Sequence, residues 1–226
     1  MRFESSLAFD EARFRASLKS VIDLPDLFFQ QTVTSTNTVL QECLANGASI
    51  GAVAIAARQS AGRGQWGRTW MSSVGGLYLS MAIAPNLEAS RSARLTLASA
   101  WGIATRLRQH HIPVQLKWPN DLYLFDKKLG GILTETSVRQ AIVHQAVVGV
   151  GINWANETPE YAIALRDKTV AMHPPIASLE DLAALVVNGI DDGQRSLQEY
   201  GLAQIVPDYR QWLFQPLPEG VTWVDL

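Results

Sequence analysis

Residues 61–76 read AGRGQWGRTWMSSVGG, and the short distance from this glycine-rich loop to the next strand decides between fold classes. Gly62, Gly64 and Gly67 match the G-x-G-x-x-G spacing of a dinucleotide-binding fingerprint. Read with the Arg-Thr pair that follows, the stretch also matches a phosphate loop that carries Arg in place of Lys. Each pattern predicts a nucleotide site, but in a different fold.

The spacing excludes both of these folds, because each motif requires the loop to open a helix. Only residues 68–75 separate Gly67 from the predicted strand at Gly76, and they include two serines and a glycine. A crossover helix does not fit into that interval. A protein kinase is excluded as well, since the chain contains neither HRD nor DFG.

The remaining pattern predicts an α+β fold. Apolar runs with strand periodicity lie at 27–33, 52–57, 76–84, 114–118, 122–125, 129–136 and 142–153. Helices are predicted at 10–22, 37–46, 92–110, from 178 onward, and at 202–214. Because the strands come in runs between separated helices, we expect a mixed, largely antiparallel sheet flanked by helices on one side.

Three local predictions accompany this outline. Asp126-Lys127-Lys128 is expected to form the tight turn between two strands. The small residues of the 92–110 helix predict that it lies close to the sheet. Residues 154–177, where Asn, Glu, Pro and His occur without period, are expected to form a surface loop.

Composition predicts a soluble cytoplasmic protein. The 226 residues fit one domain, or one large domain with a small appendage, and a hydrophobic content of 47% is enough for a sizeable core. No apolar run approaches membrane-spanning length, and the N-terminus carries charges where a signal peptide is apolar. The single cysteine, Cys43, cannot form an internal disulfide and is expected to be a small buried residue.

The charges are distributed unevenly along the chain. Residues 43–120 contain eight basic residues and one acid, Glu88, so this segment carries +7 and the rest carries −9 of the net −2. This is either surface variation or a field for an anionic ligand. Nucleic acid is not expected, because the chain lacks helix-turn-helix and paired Cys/His patterns and has no basic excess. A small anion fits better.

Two polar clusters are candidates for binding that anion. In the loop, Arg63 and Arg68 supply charge-assisted contacts to phosphate or carboxylate, and Trp66 and Trp70 are placed to exclude water. The alternative is a solvated arginine loop. The second cluster is KWPND (117–121), in which Lys117 leads into a polar strand end.

Glycines also mark two predicted strands, at Gly130-Gly131 and at Gly149 and Gly151. Gly149, Gly151 and Asn153 share one face of their strand. Glycine inside a strand indicates the close approach of a ligand or of another backbone. A flat heterocycle and close helix–sheet packing both explain this face, and the residues alone do not decide between them.

Five motifs taken together resemble the biotin protein ligases, and they occur in that family's order. They are STN (35–37), Q-x-A-GRG-x-x-GR-x-W (59–70), KWPNDLY (117–123), KLGGIL-x-E (128–135) and VGVGIN (147–153). The resemblance implies a catalytic domain over 1–215, with core motifs at 30–155, related to class II aminoacyl-tRNA synthetases and lipoate ligases. Residues 216–226 are expected to be the remnant or the start of a small C-terminal barrel.

The resemblance implies a two-step reaction. Biotin and ATP, with Mg²⁺, give biotinoyl-5′-adenylate and pyrophosphate. A lysine ε-amino group of the biotin carboxyl carrier protein of acetyl-CoA carboxylase then attacks the mixed anhydride. Two anions meet in the first step, so the site needs fixed cations. The adenylate hydrolyses readily, so a loop must cover it.

The resemblance also assigns residues. Lys117, bridging the biotin carboxyl oxygen and the α-phosphate, and Arg63 are the expected catalytic residues, and Asp121 is expected to orient Lys117 or the incoming amine. The expected biotin-binding residues are Ser35, Thr36, Asn37, Gln59, Gly62, Arg63, Gly64, Gln65, Lys117 and Gly131. The expected nucleotide-binding residues are Arg63, Arg68, Trp70, Asn120, Asp121 and Asn153. No metal ligands are assigned.

The sequence differs from the family pattern at two points, and two alternative functions remain open. Gln65 stands where many members of the family carry Arg. No DNA-binding segment precedes the catalytic motifs, so repressor activity is not expected. The alternative enzyme is a lipoate or octanoyl ligase-transferase of the same fold. The alternative without catalysis is a biotin-binding sensor that has lost turnover.

Overall fold

A central mixed sheet organises the chain, and the computed structural model describes residues 9–19, 26–167 and 176–223. The helices are α1 (Glu11–Ala16), α2 (Thr36–Ala45), α3 (Ala93–Gln109), α4 (Leu179–Tyr200) and α5 (Ile205–Gln211). The strands are β1 (Leu27–Val33), β2 (Val53–Gln59), β3 (Leu77–Ile83), β4 (Leu87–Glu88), β5 (Gln115–Lys117), β6 (Asp121–Leu124), β7 (Lys127–Arg139) and β8 (Ile142–Ile152).

The sheet is largely antiparallel. Its strand order is β1-β2-β3-β8-β7-β6-β5, and the short β4 pairs with β8 outside this path. Among the named strands, β1 and β2 form the one parallel pair, and α2 connects them. All other pairs are antiparallel. The predicted α+β class and the mixed sheet are therefore confirmed.

Alternate residues of the strands serve two different cores. Val53 and Ile55 of β2 face the large core that includes α3 and α4. Ala54, between them, belongs to a smaller cluster with Leu40 of α2 and Val147 of β8. Helices therefore lie on both faces of the sheet, and the expectation that they lie on one side is wrong.

Glycines bring α3 and α4 into very close contact. A Cβ atom on Gly102 would lie 2.0 Å from the carbonyl oxygen of Gly189, and one on Gly193 would lie 2.0 Å from that of Ala98. The small residues of α3 thus allow close packing against α4. The sequence had predicted that they allow close packing against the sheet. Within the described ranges, no helix combines the length and apolarity of a membrane span.

Several other boundaries differ from those that the sequence predicted. The α1 helix ends at Ala16, and residues 20–22 of the predicted helix lie outside the described residues. The Ser178 hydroxyl accepts a hydrogen bond from the Asp181 amide at 3.1 Å, so the predicted start of α4 is confirmed. Residues 162–165 are buried, although the sequence predicted a surface loop over 154–177. Of that loop, 168–175 lie outside the described residues.

The turn between β6 and β7 also differs from the prediction. Phe125 and Asp126 occupy the turn with φ values of 50° and 61°. Two successive positive φ values are typical of a type I′ hairpin turn, which usually carries Asn-Gly. Since Phe-Asp gives no such signal, the sequence placed the turn at 126–128. Lys127 and Lys128 instead begin β7.

Candidate active site

A cavity of about 490 Å³ opens between the N-terminus of α2, the glycine-rich loop and the ends of β5 to β8. Its volume is within the range of small-molecule sites. The predicted site residues on its wall are Ser35, Thr36, Asn37, Gln59, Arg63, Gly64, Gln65, Arg68, Trp70, Lys117, Asn120, Asp121, Gly131 and Asn153. Residues from all five motifs therefore meet in one place.

At one end, buried polar groups surround the start of α2. Ser35 is the N-cap residue by position, but its side chain makes no capping hydrogen bond. The Thr36 amide donates instead to Oε1 of Gln59 at 2.8 Å. A helix N-terminal amide is thereby satisfied from β2. The Ser35 hydroxyl, on a residue only 4% exposed, is not used by the helix and faces the cavity.

Gln59 also ties the glycine-rich loop to this end of the cavity. Its Nε2 donates to the Ser72 hydroxyl at 2.8 Å, and that hydroxyl donates to the Trp70 carbonyl at 3.1 Å. The Trp70 amide donates to the carbonyl of Gly62 at 2.9 Å. A Cβ on Gly62 would lie 2.4 Å from the Trp70 carbonyl oxygen. Gly62 is buried in this backbone contact and is not on the cavity wall, unlike Gly64.

Cations line the other end of the cavity. Arg63 forms an ion pair with Glu135 at 2.7 Å. Lys117 Nζ lies 5.3 Å from the centre of the Tyr123 ring and 3.5 Å from its hydroxyl. Lys128, which was not predicted, also lines the cavity.

Asp121 pairs with Lys128 and not with Lys117. The Lys128 ammonium donates to Oδ2 of Asp121 at 2.8 Å, and its Nζ lies 5.3 Å from the centre of the Trp70 ring. The expectation that Asp121 orients Lys117 is therefore not met in this arrangement. Lys117 and Lys128 both reach the cavity, and the Asp121 carboxylate binds Lys128.

Strand register explains why these groups share a face. Lys117 of β5 lies opposite Asp121 of β6, Asp121 opposite Gly131 of β7, and Gly131 opposite Gly151 of β8. Residues directly opposite each other across antiparallel strands point to the same side. An irregularity in β6 between residues 122 and 123 shifts the pairing by one residue, which turns Lys128 to that side as well.

The glycines of β8 are covered by the protein's own side chains. A Cβ on Gly149 would lie 2.2 Å from Oδ1 of Asn37, so close helix–sheet packing explains this glycine. A Cβ on Gly151 would lie 2.4 Å from Nε1 of Trp70. The flat heterocycle next to Gly151 is thus the Trp70 indole, whose Nε1 is buried without a hydrogen-bond partner among the described residues.

Two asparagines fix the strand ends beside the cavity. Asn120 exchanges two hydrogen bonds of 2.9 Å with the backbone of Ile132. Asn153 Nδ2 donates to the Lys128 carbonyl at 3.4 Å, and its Oδ1 accepts from Asn156 at 3.1 Å. Asn120 and Asn153, two of the residues predicted to bind the nucleotide, therefore support the strands that carry the site.

The two tryptophans of the loop have different positions. Trp70 lies on the glycine-lined floor. Trp66 has a φ of 59° and is 88% exposed at the rim. In this conformation Trp70 covers the glycines of the floor and Trp66 is directed to solvent, so water exclusion by the two tryptophans stays a prediction.

Tyr209 supports the KWPND segment from below. Its hydroxyl donates to the carbonyl of Pro119 at 3.2 Å. Burial, and then the Asp121 carboxylate, raise the pKa of Tyr209 well above its usual value. Since ionisation is disfavoured there, the hydroxyl remains a neutral hydrogen-bond donor at physiological pH.

Sequence reasoning missed three polar residues, namely Lys128, Glu135 and the fully buried Ser80. Lys128 and Glu135 were within the KLGGIL-x-E motif. Glu135 was open to detection, because it follows Gly131 by four residues in a strand and therefore points to the same face. Lys128 was hidden by the misplaced turn, and no sequence pattern marks Ser80.

Several known proteins are similar in sequence. The bifunctional ligase/repressor BirA of Escherichia coli (strain K12) is 36% identical over 176 residues, which cover 76% of this chain and 54% of that protein. The biotin–protein ligase of Schizosaccharomyces pombe is 31% identical over 209 residues, 80% of this chain and 33% of that protein. The chain spans about half the length of the bifunctional relatives it matches.

Solved structures show the same architecture. The biotin protein ligase from Aquifex aeolicus in complex with biotin and ATP is 28% identical and superposes with a TM-score of 0.71, covering 87% of this chain and 84% of that one. The Leishmania major biotin protein ligase in complex with biotinyl-5-AMP gives a TM-score of 0.68 at 25% identity, covering 88% of each chain.

A sequence profile places the chain within one family. The profile of the Biotin/lipoate A/B protein ligase family matches residues 28–153, which is more than half of the chain. The matched range contains all the residues that line the cavity except Pro159, Tyr161 and Ala162. The fold, the site and this match together show that the chain belongs to the Biotin/lipoate A/B protein ligase family.

Proposed function

We propose that this chain is an ATP-dependent biotin protein ligase. In the first step, biotin and ATP give biotinoyl-5′-AMP and pyrophosphate. In the second step, the biotinoyl group passes to a lysine of a biotin carboxyl carrier protein. The proposal is supported by the names of its relatives and by the chemistry of the cavity.

One observation carries the proposal. A single cavity joins a buried end lined by hydroxyl and amide groups to a part lined by four cationic side chains, Arg63, Arg68, Lys117 and Lys128. The first end suits a polar uncharged ring such as the ureido group of biotin, with Ser35, Thr36 and Gln59 as its partners. The second end suits a carboxylate and a phosphate that must approach each other.

Adenylation requires that two negative groups meet. An oxygen of the biotin carboxylate attacks the α-phosphorus of ATP, a phosphorus–oxygen bond forms, and pyrophosphate leaves with its electron pair. Arg63, Lys117 and Lys128 supply positive charge at this end of the cavity and would stabilise the charge that develops. The nucleotide is assigned to the side formed by Arg68, Trp70, Asn120, Asp121 and Asn153.

Transfer replaces one acyl bond with another. The neutral amine of the carrier lysine attacks the carbonyl carbon of the mixed anhydride, an amide forms, and AMP leaves. The attacking amine must lose a proton in this step, and the proton passes to solvent. The Asp121 carboxylate, on the cavity wall, is the proposed group that orients the incoming amine.

Magnesium is expected to arrive with ATP. Among the residues that the structure describes, no group of three His, Cys, Asp or Glu side chains is placed to hold a metal ion. Mg²⁺ commonly binds through substrate phosphates and water with few protein ligands. We therefore assign the ion to the substrate, as Mg-ATP.

A lipoate ligase is the competing function, since the family name includes both activities. The polar, buried head-group end favours biotin. An apolar dithiolane ring would offer no partner to the Ser35 hydroxyl, which the helix leaves unused, and an unpaired buried hydroxyl costs binding free energy. Affinity measured by calorimetry for biotin, lipoate and octanoate decides between these ligands.

The test of the whole proposal is a reaction of the protein with biotin and Mg-ATP. Native mass spectrometry should detect a bound biotinoyl-adenylate, and pyrophosphate should be released only when biotin is present. Adding a biotin carboxyl carrier domain should then yield a covalent mass increase on one lysine. Binding of biotin without pyrophosphate release would indicate a sensor without turnover and would overturn the proposal.

A further inference from the structure

Glu135 lies on the same side of β7 as the cavity-lining residues Gly131 and Leu133, and it connects α2 with the glycine-rich loop. Its Oε2 accepts a hydrogen bond from Nδ2 of Asn37 at 2.7 Å and one from Nη2 of Arg63 at 2.7 Å. A longer contact of 3.4 Å comes from Nε2 of Gln41. The same carboxylate oxygen therefore binds α2 on one side and the glycine-rich loop on the other.

The orientation of Asn37 is fixed from both sides. The Ser80 hydroxyl donates to Oδ1 of Asn37 at 2.6 Å and lies 2.7 Å from the Thr36 hydroxyl. Because Oδ1 accepts from Ser80, the amide nitrogen of Asn37 must face Glu135. This side chain is bonded within the protein and serves as a fixed support for the Glu135 carboxylate.

The contact leaves most of the Arg63 guanidinium available. Nη2 bonds Glu135 and also approaches the Thr38 hydroxyl at 3.3 Å. Among the described residues, Nε and Nη1 of Arg63 have no hydrogen-bond partner. A guanidinium presents five donors in a rigid plane, so holding one nitrogen sets the direction of the others.

We propose that Glu135 is a positioning residue for adenylation, which holds the Arg63 guanidinium in the orientation that binds the reacting carboxylate and phosphate. This inference rests on the proposed function and names a residue of the same site. Glu135 acts through Arg63 and contacts no reacting atom. The Glu135 carboxylate binds Nη2 of Arg63, and Nε and Nη1 of Arg63 remain available to bind the substrate.

Glu135→Gln is the test variant, because it keeps the side-chain shape and removes the charge. The amide oxygen can still accept both hydrogen bonds, but it carries no charge, so it holds the Arg63 guanidinium more weakly than the carboxylate does. The expected result is a fall in kcat for biotin-dependent pyrophosphate release of roughly tenfold to a hundredfold, the scale of a misplaced catalytic group. The KM for biotin should change by less than about threefold, since Ser35, Thr36 and Gln59 are untouched.

A second comparison separates positioning from general stability. If Glu135 acts through Arg63, the double variant Arg63→Ala with Glu135→Gln should be no slower than Arg63→Ala alone.

Asp181→Asn is the matched control. Asp181 binds Arg13 at 2.6 Å with a side-chain exposure of 25%, compared with 2.7 Å and 26% for Glu135 with Arg63. It lies on α4, away from the cavity, and should leave kcat unchanged.

The outcomes are distinguishable. If the wild-type protein releases no pyrophosphate with biotin, the proposed function is overturned, and this role for Glu135 is overturned with it. If the wild-type protein is active and Glu135→Gln retains normal kcat, only the role of Glu135 is overturned. Additive losses in the double variant, or an equal loss in Asp181→Asn, would likewise contradict action through Arg63.

Discussion

Lys128 of β7 and Asp121 of β6 form an ion pair of 2.8 Å on the cavity floor, next to strand β5, which carries Lys117, the lysine that the sequence marked. Because the Lys128 ammonium already binds the Asp121 carboxylate, a substrate phosphate that binds Lys128 must either share the ammonium with Asp121 or displace Asp121 from it. Lys117 has an aromatic neighbour in Tyr123 and no such ion pair among the described residues. The two lysines therefore differ in how readily they meet an anion.

Replacing either lysine should impair adenylation. Lys117→Ala and Lys128→Ala are each expected to slow pyrophosphate release by roughly a hundredfold, the effect of losing one electrostatic stabiliser. Biotin affinity should stay within a few-fold, because the head-group end is unchanged. Lys127→Ala is the control, since Lys127 is exposed and not on the wall of this cavity. Near-normal pyrophosphate release by one variant would remove that lysine from the mechanism.

Ligand should protect the glycine-rich loop from trypsin. Arg63 and Arg68 are exposed, and three glycines in residues 62–69 make this segment entropically costly to fix. Negative charge on the adenylate provides the compensating contacts. Cleavage after these arginines should slow in the presence of biotin and Mg-ATP, as followed by peptide mass spectrometry. Equal cleavage with and without both substrates would contradict this expectation.

Gln65→Arg should tighten retention of the adenylate. Gln65 lines the cavity and offers a neutral hydrogen bond, whereas an arginine would offer a charge-assisted one, a difference of about 1 kcal/mol, or several-fold in escape rate. Adenylate that escapes would acylate lysines of unrelated proteins. Blotting an added lysine-rich protein for biotin should therefore show less labelling with the variant, while labelling of the carrier persists. Unchanged or increased stray labelling would show that Gln65 does not limit retention.

Asp191→Asn should raise thermal stability at neutral pH. Burial, followed by the charge of Asp192, raises the pKa of the Asp191 carboxyl, and its Oδ2 has no hydrogen-bond partner among the described residues. A raised folded-state pKa means that ionisation destabilises the fold at higher pH. The gain in the variant should shrink as pH falls through that raised pKa and disappear below about 3.9, the unfolded-state value.

A neighbouring carboxylate supplies the control for this experiment. Asp192 accepts from Arg106 at 2.6 Å and pairs with Lys19, so Asp192→Asn should lower the melting temperature at neutral pH. Calorimetric melting at pH 4 and pH 7 measures both variants. A loss of stability in Asp191→Asn at pH 7 would mean that its 3.8 Å contact with Arg195 outweighs the cost of burying the charge.

Most of the cavity wall was expected from the resemblance to the biotin protein ligases, and the sequence predicted the sheet because strand alternation and loop spacing are local properties. It failed where tertiary contacts override them. Phe125 and Asp126 adopt positive φ without the residues that usually favour it, and the resulting shift concealed Lys128. Residues 162–165 carry no strand period, yet they are buried beside β7, with Ala162 bridged to Lys128. Only the fold reveals that Asn37 fills the space above Gly149.

The glycine contact between α3 and α4 has a practical consequence for redesign of this protein. The backbones of the two helices are in contact there, so a methyl group at Gly102 or Gly189 would clash with the facing backbone. The α3–α4 layer therefore tolerates little variation at this contact. The cavity side is bounded instead by exposed loop residues such as Trp66 and Met71. Libraries that seek new acyl substrates should therefore diversify this loop and keep the helical layer constant.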